Sequence, residues 1–225
     1  MLVPSIYEPR RAGDVLEAVR CNPLALVCSN GSGTPFATHA PVIVERLAEA
    51  GTETAPSLVD GSLLGHLNRV NDHWEQIERG GEVLVVFQGP HAYISPTAYA
   101  KRPAAPTWNF ITVHVRGRVE PLPVGDAVFD VVTSTVRELE KVAGTGWDMT
   151  DSLDYFRSIQ QGVRAFRVHV TSVEAMFKLS QEHSDLTRRE IRDHLTQAGA
   201  GLGHEVAQAM WAEEFASDGG SAPEG

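Results

Sequence analysis

The sequence predicts a β-rich α+β chain whose strands close, fully or in part, into a barrel carrying helices on its outside. Three observations lead there. Short apolar runs of strand character recur along the chain, separated by turn signals. Helical patterns are few, and they do not follow each strand as a doubly wound parallel sheet requires. No internal repeat and no linker divides the 225 residues, a length that suits one well-filled core.

The elements follow in order. Residues 12–21 set Val15, Leu16 and Val19 at helical spacing with Asp14 near the start, and Asn22-Pro23 stops that helix. Leu24 to Ser29 is a short apolar run, Asn30-Gly31-Ser32-Gly33 is a turn signal, and Phe36 to Val44 follows, which together predict a β-hairpin. Glu45 to Ser57 reads as a loose connection, and strand character resumes over Leu58 to Leu63. Asn71 to Glu78 predicts a short helix carrying Trp74 and Ile77, ended by Gly80-Gly81. Glu82 to Gln88 is a strong buried strand. Pro96 to Pro106 contains three prolines and predicts an irregular loop. Phe110 to Glu120 alternates apolar and polar residues as a half-exposed strand does. Ala127 to Val142 predicts an amphipathic helix, Ala165 to Val173 a strand and Thr187 to Leu195 a helix. Ala216 to Gly225 is small and polar and is expected to be disordered. The expected organisation is a barrel domain over residues 1–200 and a C-terminal helix with a disordered tail over 201–225.

Composition narrows the function. The formal net charge of -10 opposes a phosphate backbone. Arg10-Arg11 and the run Arg188-Arg189-Glu190-Ile191-Arg192 are the basic clusters, and the second reads as a solvated helix face. No nucleic-acid partner is therefore expected. No stretch approaches the roughly 18 apolar residues of a membrane-spanning helix. The first seven residues lack the basic and apolar regions of a secretory signal, so a cytoplasmic protein is expected. Cys21 and Cys28 form neither a disulfide framework nor a zinc signature and are expected to be small buried hydrophobes.

Four stretches concentrate polar and aromatic residues at strand ends. Gly65 to Trp74 contains His66, Arg69, Asn71 and Trp74. A neutral imidazole is a good iron ligand, an arginine suits a carboxylate or phosphate, and Asn71 or Asp72 also suits capping the next helix. Phe87 to Pro96 leaves a buried strand in a tight turn bearing His91 and Tyr93. Ala105 to Phe110 presents Thr107, Trp108 and Asn109, residues suited to stacking on or hydrogen bonding to a planar ligand. Phe177 to Gln181 is a compact polar strand end holding Lys178 and Gln181. Taken together they predict one shared pocket for a flat prosthetic group.

These stretches resemble the PaiB-like family of FMN-binding negative transcriptional regulators. The matching motifs are Val3-Pro4 with Tyr7, Thr38-His39-Ala40-Pro41, Gly65-His66-Leu67 with Arg69, Asn71 and Trp74, and Phe87 to Pro96. Pro106-Thr107-Trp108-Asn109, Val113 to Gly117 and Lys178-Leu179-Ser180-Gln181 complete the pattern, which runs from about residue 3 to about residue 195. The resemblance implies an FMN-binding-type split β-barrel, a homodimer, and a cofactor near the subunit interface.

The chain departs from ordinary members at Asn68, where they carry a small residue, and at Asp72, where they carry proline. It also departs at Ser95 to Tyr99 and at Ala104 to Phe110. These departures, together with Ser152 to Arg157, resemble the heme-dependent piperazate synthases, which convert N5-hydroxy-L-ornithine to L-piperazate. That branch implies heme b, with His66 as the axial ligand and His91 as the alternative. It makes His91, Tyr93, Thr97 and Lys101 candidates for proton transfer and substrate positioning, and Arg69 or Lys178 candidates for gripping propionates. The generic family reading implies FMN instead, with Arg69 and Lys178 on its phosphate and Trp108 near the isoalloxazine.

Overall fold

Alternating burial along six segments produces six strands in the computed structural model. They are β1 (Leu24–Ser29), β2 (Phe36–Ala48), β3 (Ser57–Asn68), β4 (Gly81–Ile94), β5 (Thr107–Pro121) and β6 (Val163–Lys178). They join in the order β1-β2-β3-β6-β5-β4 as a closed barrel. The β1–β2, β1–β4, β2–β3 and β3–β6 ladders are antiparallel. The helices are α1 (Asp14–Cys21), α2 (Trp74–Glu78), α3 (Asp126–Ala143), α4 (Leu153–Ile159), α5 (Asp185–Gln197) and α6 (Gly203–Ser217). The structure describes residues 1–11, 13–48, 57–99, 103–144, 146–197 and 202–217. These fall into two compact units, the first of Leu16–Phe87 and His114–Val173, the second of Met1–Val15, Gln88–Val113 and Glu174–Gly225.

In the first unit the expected hairpin forms, with Val27 opposite Thr38 on β2 and opposite Val85 on β4. Val27, Leu63, Val85, Val115, Phe166 and Val168 are fully buried. Gly65 lies opposite Phe166, and a Cβ there would meet the Phe166 ring at 2.4 Å. Glycine is therefore required for that ring to lie against β3. The other face of the β3–β6 ladder packs on α3, where Leu64 and Ala165 bury against Val128 and Val131 together with Ile43. Beyond α3 this face turns polar. Arg167 grips both oxygens of Glu45 at 2.7 Å, and His169 Nε2 lies 2.7 Å from Glu120.

In the second unit α5 and α6 meet through a buried ion cluster. Arg188 pairs with Glu213, Arg192 with Glu214, and Arg10 also reaches Glu213. The Arg192 guanidinium lies 3.8 Å from the Trp211 ring centre. Val206, Ala207 and Met210 bury one side of α6.

Several expectations need correction. β3, β4, β5 and β6 are longer than their apolar runs, because polar residues on an outward face continue the hydrogen-bonded ladder. His66 and Asn68 lie within β3, His91 and Tyr93 within β4, and Thr107, Trp108 and Asn109 within β5, rather than in turns after the strands. Gly89-Pro90 does not break β4: a Cβ at Gly89 would lie 3.1 Å from Ile111, so that glycine serves close packing. Arg188 and Arg192 are buried rather than solvated, since their four-residue spacing turns both toward acids of α6. Cys21 is exposed and Cys28 only half-buried. Helix α6 extends to Ser217, and the remaining tail lies outside the described residues. Among the described residues no helix is long and apolar enough to cross a membrane.

Candidate functional site

His66 occupies the outward face of β3. Strand alternation places it on the same side as Leu64, and the ladder sets it opposite Ala165. Its Nδ1 is buried and has no hydrogen-bond partner. Burial lowers its pKa below the usual 6.5, so the ring is neutral near pH 7. A neutral imidazole with an unused nitrogen is equipped to ligate a metal or to accept a proton.

The turn that follows is built by its own polar side chains. Asn68 Oδ1 accepts from the Val70 amide at 3.1 Å, and Asn71 Oδ1 accepts from the His73 amide at 2.9 Å. Asn71 thus shapes the entry to α2. Trp74 is buried among core residues and presents no open face to a ligand. The Arg69 amide donates to Gly162 O while its side chain is exposed, without an ion-pair partner among the described residues. His73 contrasts with His66. Burial lowers its pKa too, but its Nε2 lies 2.8 Å from Ser29 Oγ, its Nδ1 lies 3.0 Å from Thr38 Oγ1, and its ring stacks on Phe36. His73 is a strut inside the hairpin.

The second unit gathers most of the remaining candidates. Trp108 on β5 lies 6.2 Å from the His91 ring and 5.9 Å from Tyr93, in an edge arrangement with the latter. Tyr93 and Trp108 are each 51% exposed, so the group forms an open aromatic platform. At the start of β5, Thr107 Oγ1 accepts from Lys178 Nζ at 2.5 Å, and Lys178 Nζ stands 5.9 Å from the Tyr7 ring centre. Burial, then the charge of Glu182, raise the pKa of Tyr7, and the same two causes act first on Tyr99. The Tyr99 ring lies 5.1 Å from His183.

Three candidates in this unit are hydrogen-bonded within the protein. Asn109 is fully buried and bonds to Ser180, not to an open cavity. Gln181 closes its own strand end, accepting from the Leu179 amide at 2.6 Å and donating to Phe177 O. Thr97 bonds to Ser95 through both its amide and its hydroxyl. Lys101 lies outside the described residues. Tyr7, Tyr99, Glu182 and His183 were not singled out as site residues from the sequence. Tyr7 carried a signal as part of a motif, and Tyr99 as the end of a stretch that departs from the family pattern. They meet through pairing between segments far apart in the chain.

A family described as "Putative FMN-binding domain" matches residues 1–172. The chain is 28% identical over 212 residues to protease synthase and sporulation protein PAI 2 of Bacillus subtilis, covering 93% of this chain and 96% of that one. Among solved structures, a conserved hypothetical protein of Mycobacterium tuberculosis aligns with a TM-score of 0.55 at 12% identity, covering 82% of this chain and 96% of that one. The FAD and heme binding protein of Mycobacterium smegmatis aligns at 0.51 and 12% identity, covering 86% and 80%.

Proposed function

This chain belongs to the FMN-binding domain family, and from that premise we propose that it is a heme-dependent piperazate synthase, closing N5-hydroxy-L-ornithine to L-piperazate. The reaction forms a bond between the α-nitrogen and N5, breaks the N5–O bond and releases water.

The observation that carries this reading is the unpartnered, buried Nδ1 of a neutral His66. Among the described residues no three His, Cys, Asp or Glu side chains gather into a site for a bare metal ion. A single imidazole donor suits an iron whose other positions a macrocycle already fills. His66 would hold heme, and the exposed Arg69, three residues on, offers a cation to a propionate. Heme, when bound, supplies an iron that weakens the N–O bond as a Lewis acid. The rest is work for side chains. The departing hydroxyl needs a proton and the α-ammonium must lose one, so a proton-exchanging group is required. A homodimer in the cytoplasm is part of the same reading. That a barrel of this fold takes heme in another protein, the one from Mycobacterium smegmatis, supports it at the level of fold alone.

A second reading, an FMN-binding protein without this activity, is favoured by the family match and by the half-exposed Trp108, an aromatic face for an isoalloxazine ring. The net charge of -10 weighs against a DNA-binding role for either.

An absorption spectrum of the purified protein separates them. A Soret band, followed by conversion of N5-hydroxy-L-ornithine to L-piperazate, is expected. A flavin spectrum and no turnover would overturn the proposal.

A further inference from the structure

We propose that Lys178 and Glu182 form the two ends of a recognition site for a zwitterionic amino acid, with Lys178 and Thr107 taking its carboxylate and Glu182 an amine. This rests on the reading above for the identity of the substrate, but it assigns these residues to the substrate rather than to a cofactor phosphate or propionate.

The charge pattern of the second unit carries the argument. Arg10, Arg11, Arg188 and Arg192 are each ion-paired with a carboxylate. Lys178 is half-buried and has no carboxylate partner among the described residues. Its contacts are the Thr107 hydroxyl at 2.5 Å and the Tyr7 ring at 5.9 Å. An ammonium partly withdrawn from water without a counter-charge is unfavourable until an anion arrives. Thr107 takes one of its three donors, which leaves donors for an oxyanion.

Glu182 neighbours the same ring, and its Oε1 also lies 3.8 Å from His183 Nε2. It is hydrogen-bonded to the Tyr7 side chain, and its charge reaches Tyr99 as well. Lys178 and Glu182 do not pair with each other among the described contacts. Tyr7 thus has both a cation and an anion among its neighbours, an arrangement complementary to a ligand bearing both charges. One ammonium and one hydroxyl match a carboxylate in charge. A phosphate dianion calls for further cations, and Arg10, Arg188 and Arg192 are committed to Glu213 and Glu214.

Calorimetry on the protein as purified tests this with two probes, L-ornithine and 1,4-diaminobutane, the same chain without the carboxylate. Wild type should bind L-ornithine at least tenfold more tightly, and Lys178→Met should abolish that preference while the Soret band stays unchanged. Lys178→Arg should restore part of the preference, which excludes simple misfolding as its cause. Glu182→Gln should weaken both probes. Equal affinity for the two probes in wild type, an undiminished preference in Lys178→Met, or loss of heme from Lys178→Met with L-ornithine binding intact would each overturn the proposal. Failure of the synthase reading appears separately, as a missing Soret band with the Lys178-dependent preference still present.

Discussion

Asn109 and Ser180 bond to each other in both directions. The Asn109 amide donates to Ser180 Oγ at 2.9 Å, and the Ser180 hydroxyl donates to Asn109 Oδ1 at 3.1 Å. Both residues are fully buried, and Ser180 holds a left-handed backbone with φ of 66°. This mutual pair ties the start of β5 to the turn after β6.

Removing one partner strands the other in the core. Asn109→Ala is expected to lower unfolding stability by about 1–3 kcal/mol, read from urea denaturation. The cofactor absorbance of the folded fraction should match wild type. A large loss of cofactor at unchanged stability would return Asn109 to the ligand.

Trp74 and Trp108 carry opposite expectations. Trp74 is 8% exposed, so Trp74→Ala should destabilise by about 3–5 kcal/mol. Trp108 is 51% exposed, so Trp108→Ala should stay within about 0.5 kcal/mol of wild type while changing the absorbance or affinity of whatever lies on that platform. Thermal denaturation and ligand titration of both variants check the contrast.

Gly65→Ala forces a methyl into the Phe166 ring, and overpacking of this kind is expected to lower stability by about 1–3 kcal/mol. The companion change Phe166→Leu in that background should recover part of the loss. No recovery would mean the strain lies elsewhere.

His66 and His73 should separate on substitution. His66→Ala is expected to keep its fold and lose the Soret band. His73→Ala should retain the band but lose about 1–3 kcal/mol of stability as Ser29 and Thr38 lose a partner. Full heme occupancy in His66→Ala would refute the ligand assignment.

Acid should act in two stages. Burial holds the folded-state pKa of His73, and of His66 in the heme-free protein used for this measurement, below the 6.5 of the unfolded chain. The unfolded state then binds more protons in that window, so stability is full above 6.5 and falls as pH drops beneath it. Glu45 and Glu120 are held below the usual 4.5, first by hydrogen bonds from Arg167 and His169 respectively, and their contribution is lost only as pH falls further. Urea midpoints from about pH 8 to about pH 3 should show both stages, and the double variant His66→Gln, His73→Gln should flatten the first. A first stage of undiminished size in that variant would exclude these histidines as its source.

Much of the barrel was legible in local patterns. The hairpin of β1 and β2 followed from an apolar run, Asn30 to Gly33 and a second run, and α3 followed from its periodicity. Strand ends were not legible, since His66, His91 and Thr107 interrupt the apolar runs that mark a core while their backbones remain in the ladder. Arg188 and Arg192 looked solvated because their counter-charges sit on α6, a separate segment. His91, Tyr93 and Trp108 lie in two motif-bearing stretches, and their approach into an open platform depends on the pairing of β4 and β5. Asn109 and Gln181 resembled ligand groups because a buried amide always needs a partner, and only the fold reveals that the protein supplies it. Tyr7 and Glu182 meet through contacts between the two ends of the chain, which no local window contains.

The packing of α3 on Leu64 and Ala165 decides which way the imidazole two residues on from Leu64 looks. Sliding β3 by a single residue would drive that ring into the barrel and bring Leu67 out in its place. Val128 and Val131, far along the sequence, thereby act as a ratchet pawl on β3. If His66 holds heme as proposed, changes there should be felt as loss of that heme.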